Sequence, residues 1–211
     1  MQNNLLRLKA ALSGIRFNDI TGVMLAGGES KRMGKNKALL EINGMTMIES
    51  GFQVLSSIFD EVILITNSPE EYDFLGCRKF SDIHIGYGSI AGIHSALSAA
   101  ANDRIFAVAC DMPFINSELV RIICNNSAGY DATVPLNSEG SPEPLHAVYA
   151  KSALNEISRM ISEEEKKITM LFERTITNFI SPVAYSHIHE SEKSFCNANT
   201  PDEFSEFQQK S

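Results

Sequence analysis

The sequence lacks the features of a membrane or secreted protein. None of its apolar runs approaches the ~20 residues that a membrane-spanning helix requires. The first stretch, MQNNLLRLKAALSGIRF, has no long apolar core and no small-residue cleavage site of the kind found in secretory signals. Its leucines recur at helical spacing, so we expect residues 1–19 to form a helical extension that packs on the domain. A cytoplasmic protein with no membrane partner is the expectation.

Cysteine is scarce and scattered. The chain has four cysteines without a C-x-x-C pair, namely Cys77, Cys110, Cys124 and Cys196. Zinc sites and redox dithiols depend on closely spaced pairs, so both kinds of site are disfavoured. Without a secretory signal, we expect these thiols to be reduced, as they are in the cytoplasm.

Positive charge is in deficit over the whole chain but concentrated at one place. The chain has 18 Lys and Arg residues but 26 Asp and Glu residues, so its formal net charge is −8. Because nucleic-acid-binding domains usually carry a basic face, we expect no nucleic-acid partner. Four cations nevertheless follow closely on Leu25: Lys31, Arg32, Lys35 and Lys37. Such a local cluster suits a small anionic ligand.

Short β-branched runs alternate with helical patterns along the chain. The predicted strands are Thr21–Leu25, Glu61–Thr66, Arg104–Cys110, Ala132–Pro135, Leu145–Ala150 and Asn178–Val183. Helical spacing lies between them, in Ile48–Phe59, Ile90–Ala101, Ser117–Asn126 and Lys151–Glu165. This alternation predicts an α/β fold of three layers, with a mostly parallel sheet and helices on both faces. The length fits a single domain over residues 20–211.

Parallel sheets of this kind bind ligands beyond the carboxyl ends of their strands. We therefore expect the loops after Leu25, Thr66, Cys110 and Pro135 to line one face of the molecule. The chemistry should come from these loops.

The segment LAGGESKRMGKNKALL follows the first predicted strand. Gly27 and Gly28 allow a tight turn and bring backbone N–H groups close to a ligand. With Arg32, Lys35 and Lys37 they form a cradle for a triphosphate, whereas the alternative is an ordinary turn with solvated lysines. The segment is not a Walker loop, since five residues separate the glycine pair from Gly34-Lys35 and Asn36 comes next.

A second glycine-rich segment, GYGSIAG from Gly86 to Gly92, precedes a helical pattern. It is a variant of the dinucleotide-binding motif, and Asp111 comes near the place of a ribose-binding carboxylate. The preceding KFSDIHI is a poor buried strand. Nicotinamide binding therefore stays as a distant alternative.

Asp111 is the candidate metal ligand. It follows the apolar run IFAVAC, and Met112-Pro113 end the strand, so its carboxylate should emerge at the edge where ligands bind. Nucleotidyl transfer needs a divalent cation, and Mg²⁺ is held by one or two carboxylates together with phosphate oxygens and waters. Asp111 could instead merely cap the following turn.

Other polar residues carry weaker signals. Asn67 ends a predicted strand and suits a base or ribose contact, although asparagine also forms ordinary turns. His187 and His189 fall in a predicted edge strand, and without an obvious third ligand they favour a solvated pair over a metal site. The prolines on either side of Glu143 in SPEPLHAVY could form a rigid rim for a second substrate. Alternatively, they could simply interrupt the regular secondary structure.

Several of these motifs together resemble a known family. LAGGESKRMGKNKALL is similar to the L-A-G-G-x-S-x-R-M-G-x-[DN]-K-x-L-L motif of molybdenum cofactor guanylyltransferases, members of the nucleotidyltransferase group. The similarity continues through NSPEEY, SDIHIGYGSIAGIHSAL, ACDMPFI, PEPLHAVY and FCNANTPDEF. It spans about Ile20 to Phe207 and implies a Rossmann-like nucleotidyltransferase fold.

The resemblance implies roles for individual residues. Leu25, Ala26 and Gly27, with Gly28, would contact GTP through the loop backbone. Lys37 would reach the phosphates, with Arg32 assisting. Asn67 and Asp82 would help to hold the guanosine, and Asp111 would bind Mg²⁺ and nucleotide together, with Asn199 near the metal. GYGSIAG and EPLHAVY would border the pterin substrate.

The implied reaction joins GMP from GTP to the phosphate of the molybdenum-pterin cofactor and releases pyrophosphate. GTP, the pterin cofactor and Mg²⁺ are the expected ligands, and molybdoenzyme apoproteins and other cofactor-biosynthesis proteins the expected partners. Two alternatives stay open: cytidylyl transfer to the same pterin or transfer to another phosphorylated acceptor, and a nucleotide-binding module without catalysis. LAGG rather than the LAAG of cytidylyl relatives favours a purine.

The chain departs from the family pattern at three places. Asn36 stands where many relatives have Asp before the lysine, which removes a negative charge beside Lys37. Ser89-Ile90 stands where relatives often have Pro-Leu, and the N-terminal extension is the third departure.

Overall fold

The computed structural model describes residue 14 and residues 16–27, 36–42 and 44–197. In these parts of the chain, none of the helices combines the length and the apolar character needed to cross a membrane.

A seven-stranded sheet forms the centre of the molecule, in the order β5-β4-β1-β6-β8-β7-β9. Its strands are β1 (Phe17–Leu25), β4 (Phe59–Ile65), β5 (Arg78–Phe80), β6 (Arg104–Ala109), β7 (Ala132–Pro135), β8 (His146–Ala150) and β9 (Thr177–Ile180). Only β8 among them runs antiparallel to both of its neighbours. β2 (Glu41–Ile42) and β3 (Met45–Thr46) form a separate antiparallel pair. The predicted α/β fold with a mostly parallel sheet is confirmed.

Five α-helices cover the sheet in the described residues: α1 (Met47–Ile58), α2 (Ser89–Ala99), α3 (Ser117–Asn125), α4 (Leu154–Ser162) and α5 (Leu171–Arg174). Short 3-10 helices occupy Lys37–Leu39, Pro69–Tyr72, Lys151–Ala153, Ile168–Met170, Pro182–Tyr185 and Ser191–Phe195.

The core consists of two apolar clusters, one on each face of the sheet. Successive residues of a strand point to opposite faces, and β1 obeys this rule. Ile20 and Met24 belong to the cluster that contains α1 and α3, whereas Val23 and Leu25 belong to the cluster that contains α2 and α4. Because both faces are buried, the sheet is the middle of three layers.

Local polar contacts fix where two helices begin. Thr46 and Glu49 form a capping box at the start of α1: the Glu49 N–H donates to Thr46 Oγ1 (3.3 Å) and the Thr46 N–H to Glu49 Oε2 (2.8 Å). At α3, Asn116 Oδ1 accepts from the N–H groups of Glu118 and Leu119. Each such cap contributes about 1 kcal/mol to stability.

The structure corrects several predicted boundaries. β1 begins at Phe17, so residues 17–19 belong to the sheet rather than to a helical extension, and residues 1–13 lie outside the described residues. The last predicted strand ends at Ile180, because a 3-10 helix begins at Pro182. His187 and His189 lie in turns, so the edge strand predicted there was wrong.

Candidate active site

The carboxyl ends of four parallel strands are level with one another at one edge of the sheet. Leu25 at the end of β1 pairs in register with Ile65 of β4 and Ala109 of β6, and Ile65 pairs with Phe80 of β5. This common end creates a single rim from which several loops emerge.

A cavity of about 240 Å³ opens at this rim. Its lining combines strand ends, the loop after β5 and the start of α2: Leu25, Gly27, Ile65, Asp82, Gly88, Ser89, Gly92, Ala109, Cys110, Asp111 and Leu145. The loops after β1 and β6 therefore meet there, as predicted. Leu145 directly precedes β8, whose start lies at this edge because the strand runs antiparallel to its neighbours. The loop after β7 leaves from the same edge, where Pro135 O accepts a hydrogen bond from the Glu143 N–H (2.9 Å).

Gly27 makes room for a carboxylate. A Cβ at this position would lie 3.2 Å from Asp82 Oδ2, closer than an ordinary van der Waals contact. A side chain here would therefore displace Asp82 or narrow the mouth of the cavity. Gly28, Arg32 and Lys35, the other predicted members of the phosphate cradle, lie outside the described residues.

Asp82 is held by Asn67, which lies just after β4. Asn67 Nδ2 donates to Asp82 Oδ2, and the Asp82 N–H donates to Asn67 Oδ1, both at 2.9 Å. The second carboxylate oxygen, Oδ1, is buried and has no hydrogen-bond partner among the residues that the structure describes. Burial raises the pKa of Asp82, and the hydrogen bond from Asn67 opposes that shift. An unpaired buried acceptor is costly, so this oxygen is suited to accept from a ligand.

Asp111 and Lys37 form the charged end of the site. Asp111 leaves the turn after β6, and Lys37 is the first residue of a 3-10 helix. Burial raises the pKa of Asp111, whereas a backbone hydrogen bond and the positive charge of Lys37 act against that rise. The positive charge of Lys37 thus favours the ionised form of Asp111. In the described part of the chain, no group of three or more His, Cys, Asp or Glu residues could hold a metal ion. Asn199, the other predicted metal neighbour, lies outside that part.

Comparison with known proteins identifies the family. The model of the MobA-like NTP transferase domain matches residues 22–178. The chain belongs to this family. A probable molybdenum cofactor guanylyltransferase of Pelotomaculum thermopropionicum is 39% identical over 86% of this chain and 88% of its own. A protein of the same description from Peptoclostridium acidaminophilum is 34% identical over 90% of this chain and 88% of its own.

A solved structure agrees with this assignment. The crystal structure of molybdopterin-guanine dinucleotide biosynthesis protein A from Archaeoglobus fulgidus is 29% identical and superposes with a TM-score of 0.76. The match covers 91% of this chain and 100% of that one. The nucleotidyltransferase fold expected from the sequence is thereby confirmed.

The glycine segment GYGSIAG has a different context from that of a dinucleotide-binding motif. β5 lies at the edge of the sheet and ends at Phe80, well before Gly86. Gly88, with φ of +62°, precedes α2, and Ser89 begins that helix. In this MobA-like chain the segment thus forms one wall of the cavity, and the nicotinamide-binding alternative has no structural basis.

Lys166 supports this wall from outside, and no pattern in the sequence predicts that role. Its Nζ donates to Gly86 O (2.9 Å) and lies 5.1 Å from the ring centroid of Tyr87. A cation over an aromatic ring is worth about 0.5–1 kcal/mol at exposed sites. The lysine is far from Gly86 in sequence, so only the fold brings them together.

Another part of the lining comes from PEPLHAVY, which the sequence predicted to border a second substrate. Leu145 lines the cavity. Glu143 lies two residues before Leu145, accepts a hydrogen bond from Asn137 Nδ2 (2.8 Å), and has its pKa raised by burial. His146 instead points into the core, where its ring contacts Phe106 and Phe195 edge-on.

Proposed function

We propose that this MobA-like protein transfers GMP from GTP to the phosphate of a molybdenum-bound pterin cofactor, forming the guanine dinucleotide cofactor and pyrophosphate. The observation that carries the proposal is one cavity lined by two carboxylates: Asp82, with its unpaired acceptor Oδ1, and Asp111, on which the charge of Lys37 acts. The names of the related proteins support the choice of substrates.

The Asp82 end of the cavity suits guanosine. Guanine presents N–H donors on its Watson–Crick edge, and an unpaired buried carboxylate oxygen gains most from such a donor. The absence of a Cβ at Gly27 leaves space beside Asp82 for a purine. Asn67 holds the carboxylate in place from behind.

The Asp111 end suits the triphosphate and Mg²⁺. Asp111 is the carboxylate at this end, and one carboxylate is enough for a Mg²⁺ site. Protein-bound Mg²⁺ often keeps several waters and takes its other ligands from substrate phosphates. In this proposal Asp111 would hold the ion, with Asn199 as a second contact, and the ion would supply positive charge against the phosphates. Lys37 contacts the phosphates directly, and Arg32 and the loop N–H groups of Leu25 to Gly28 assist.

The proposed mechanism needs no general base. The attacking phosphomonoester oxygen is already anionic near neutral pH. It forms a bond to the α-phosphorus of GTP, and the bond to the β-phosphate oxygen breaks to release pyrophosphate. The task of Lys37 and Asp111 is to bring two anions together and fix them in line.

The proposal includes a cytoplasmic location and delivery of the product to molybdoenzyme apoproteins, directly or through other cofactor-biosynthesis proteins. The pterin would lie between the wall of Gly88 and Ser89 and the wall of Leu145, at the rim that both share.

Pyrophosphate release with each of the four common NTPs, with and without the molybdenum-pterin acceptor, tests the proposal. We expect release only with acceptor present and far faster with GTP than with CTP. A preference for CTP would change the assignment to a cytidylyltransferase. Nucleotide binding without pyrophosphate release from any NTP would indicate a non-catalytic module. The Asp111→Ala variant serves as the control for contaminating activity.

A further inference from the structure

Asn36 stands where the glycine-rich loop passes into the 3-10 helix that begins at Lys37. Its Oδ1 accepts from the Ala38 N–H (3.2 Å) and caps that helix. Its Nδ2 donates to Glu71 Oε2 at 2.6 Å and to Tyr72 Oη at 2.8 Å. The side-chain amide thus uses both of its hydrogens as well as its oxygen.

These contacts fix the direction of each hydrogen bond. If the amide were flipped, its NH₂ group would face the Ala38 N–H, donor against donor. An aspartate at position 36 would have no hydrogens to donate, and its carboxylate would face that of Glu71. Asn36, which stands where many relatives have Asp, therefore matches its own surroundings.

The partners of Asn36 connect it to the other side of the site. The Tyr72 ring is buried in the core, and burial raises the pKa of its hydroxyl to about 12, so the phenol stays protonated. Cys110 packs against the same core cluster to which Tyr72 belongs. Asn36 directly precedes Lys37, and Cys110 directly precedes Asp111. Tyr72 is therefore hydrogen-bonded to the residue before Lys37 and belongs to the core cluster against which the residue before Asp111 packs.

We propose that Asn36 is a positioning residue, which holds Lys37 opposite Asp111 by donating both amide hydrogens to the 3-10 helix Pro69–Tyr72. The inference rests on the proposed role of Lys37 in nucleotidyl transfer. Asn36 itself touches no reacting atom. It acts on the phosphates only through the lysine that comes after it.

A double-mutant cycle tests the direction of these hydrogen bonds. Asn36→Asp should lower kcat/KM for GTP about ten- to one-hundredfold, because a donor to a carboxylate is lost and two carboxylates meet. Glu71→Gln alone should have a small effect, since the glutamine oxygen still accepts from Asn36. The double variant Asn36→Asp/Glu71→Gln should recover most of the activity. In that protein the introduced glutamine amide and the Tyr72 hydroxyl would both donate to the introduced carboxylate.

Two further measurements separate positioning from general stability. In a Lys37→Ala background, Asn36→Asp should cause little additional loss, because its effect passes through the lysine. Glu70→Gln removes the same charge at the exposed neighbouring residue and is the matched control, with wild-type activity and melting temperature expected.

The proposal would be overturned if the double variant were no more active than Asn36→Asp. It would also be overturned if Asn36→Asp lowered kcat/KM as much in the Lys37→Ala background as in the wild type. The affinity for inorganic tripolyphosphate, measured by calorimetry, should show the same loss and recovery. Absence of pyrophosphate release from the wild type would refute the proposed function. The binding pattern would then still decide the role of Asn36.

Discussion

Asn67 and Asp82 hydrogen bond to each other twice, side chain to side chain and backbone N–H to side chain, both at 2.9 Å. This pairing joins the loops that come after β4 and β5. It engages one oxygen of the carboxylate and leaves the other, Oδ1, buried and unpaired beside the cavity. The carboxylate is therefore rigid before any ligand arrives.

The first prediction concerns the base-recognising end of the site. In Asp82→Asn, the new side-chain oxygen can still accept from Asn67, so an NH₂ group would replace the free Oδ1. We expect the Kd for GTP to rise about tenfold or more, as donor would meet donor. Calorimetric titration with inorganic tripolyphosphate is the control, because that ligand lacks a base. Equal losses for both ligands would place Asp82 at the phosphates instead.

The second prediction concerns Asp111. Asp111→Asn removes the negative charge while keeping the shape of the side chain. Turnover should fall by about a thousandfold or more, as expected for the loss of a metal ligand. Since burial disfavours the ionised carboxylate, the melting temperature should stay equal or rise slightly. If pyrophosphate release persists at a comparable rate, the metal ligand is another residue.

The third prediction concerns the wall formed by Gly86–Gly92. Lys166→Met loses both the hydrogen bond to Gly86 and the charge over Tyr87, while it keeps the length of the side chain. We expect KM for the pterin acceptor to rise several-fold with a smaller change in kcat, because the wall loses support without losing a reacting group. Lys166→Arg, which can still donate, should retain most of the affinity.

Lys167 provides the matched control for this variant, as it is the next residue and also exposed. Lys167→Met should leave both kinetic constants near those of the wild type. Equal effects at the two positions would mean that only net surface charge matters.

The fourth prediction concerns acid stability. His146 is fully buried, both of its ring nitrogens lack hydrogen-bond partners, and burial lowers its pKa to about 3. The folded protein therefore keeps this ring neutral, whereas the unfolded chain protonates it below its ordinary pKa of about 6.5. The contribution of this group to stability is thus fully present above a pH of about 6.5 and is lost progressively as the pH falls from there towards about 3.

His146→Leu removes this titration. Relative to the wild type, the variant should gain about 2 kcal/mol in the free energy of unfolding between about pH 7 and about pH 5. Urea denaturation at both pH values measures the difference, and the constant cost of repacking cancels from it. A pH-independent difference for His146→Leu would contradict the prediction, because it would mean that the ring binds its proton equally well in the folded and the unfolded protein.

The alternation of apolar, β-branched runs with helical patterns along the sequence was sufficient to predict the sheet and most of its strands. β1, β4, β6 and β8 are runs of apolar and β-branched residues, and each one is a strand. β5 was missed because it is three residues long and begins with Arg78 and Lys79, at the exposed edge of the sheet. The reversed direction of β8 is also absent from the pattern, because side-chain alternation is the same in either direction.

The site was predictable at the residues that come directly after the end of a strand. Asp111 and Gly27 were found in this way, and both line the cavity. The contacts of Asn36 with Glu71 and Tyr72, and of Lys166 with Gly86, join residues far apart in sequence. A single sequence has no local signal for such pairs. The roles proposed for Arg32, Gly28 and Asn199 stay predictions, since these residues lie outside the described part of the chain.

The position of β8 between β6 and β7 has a consequence for synthesis on the ribosome. β7 is synthesised before β8 and β9, which are its two neighbours in the finished sheet. When β7 emerges, neither strand to which it will hydrogen bond has yet been made. The free side of β6 stays open until residues 146–150 have been translated. An open edge next to an apolar strand invites pairing with another chain. The nascent chain therefore has an open apolar edge at β6 throughout the time in which the segment between Ala109 and His146 is being made.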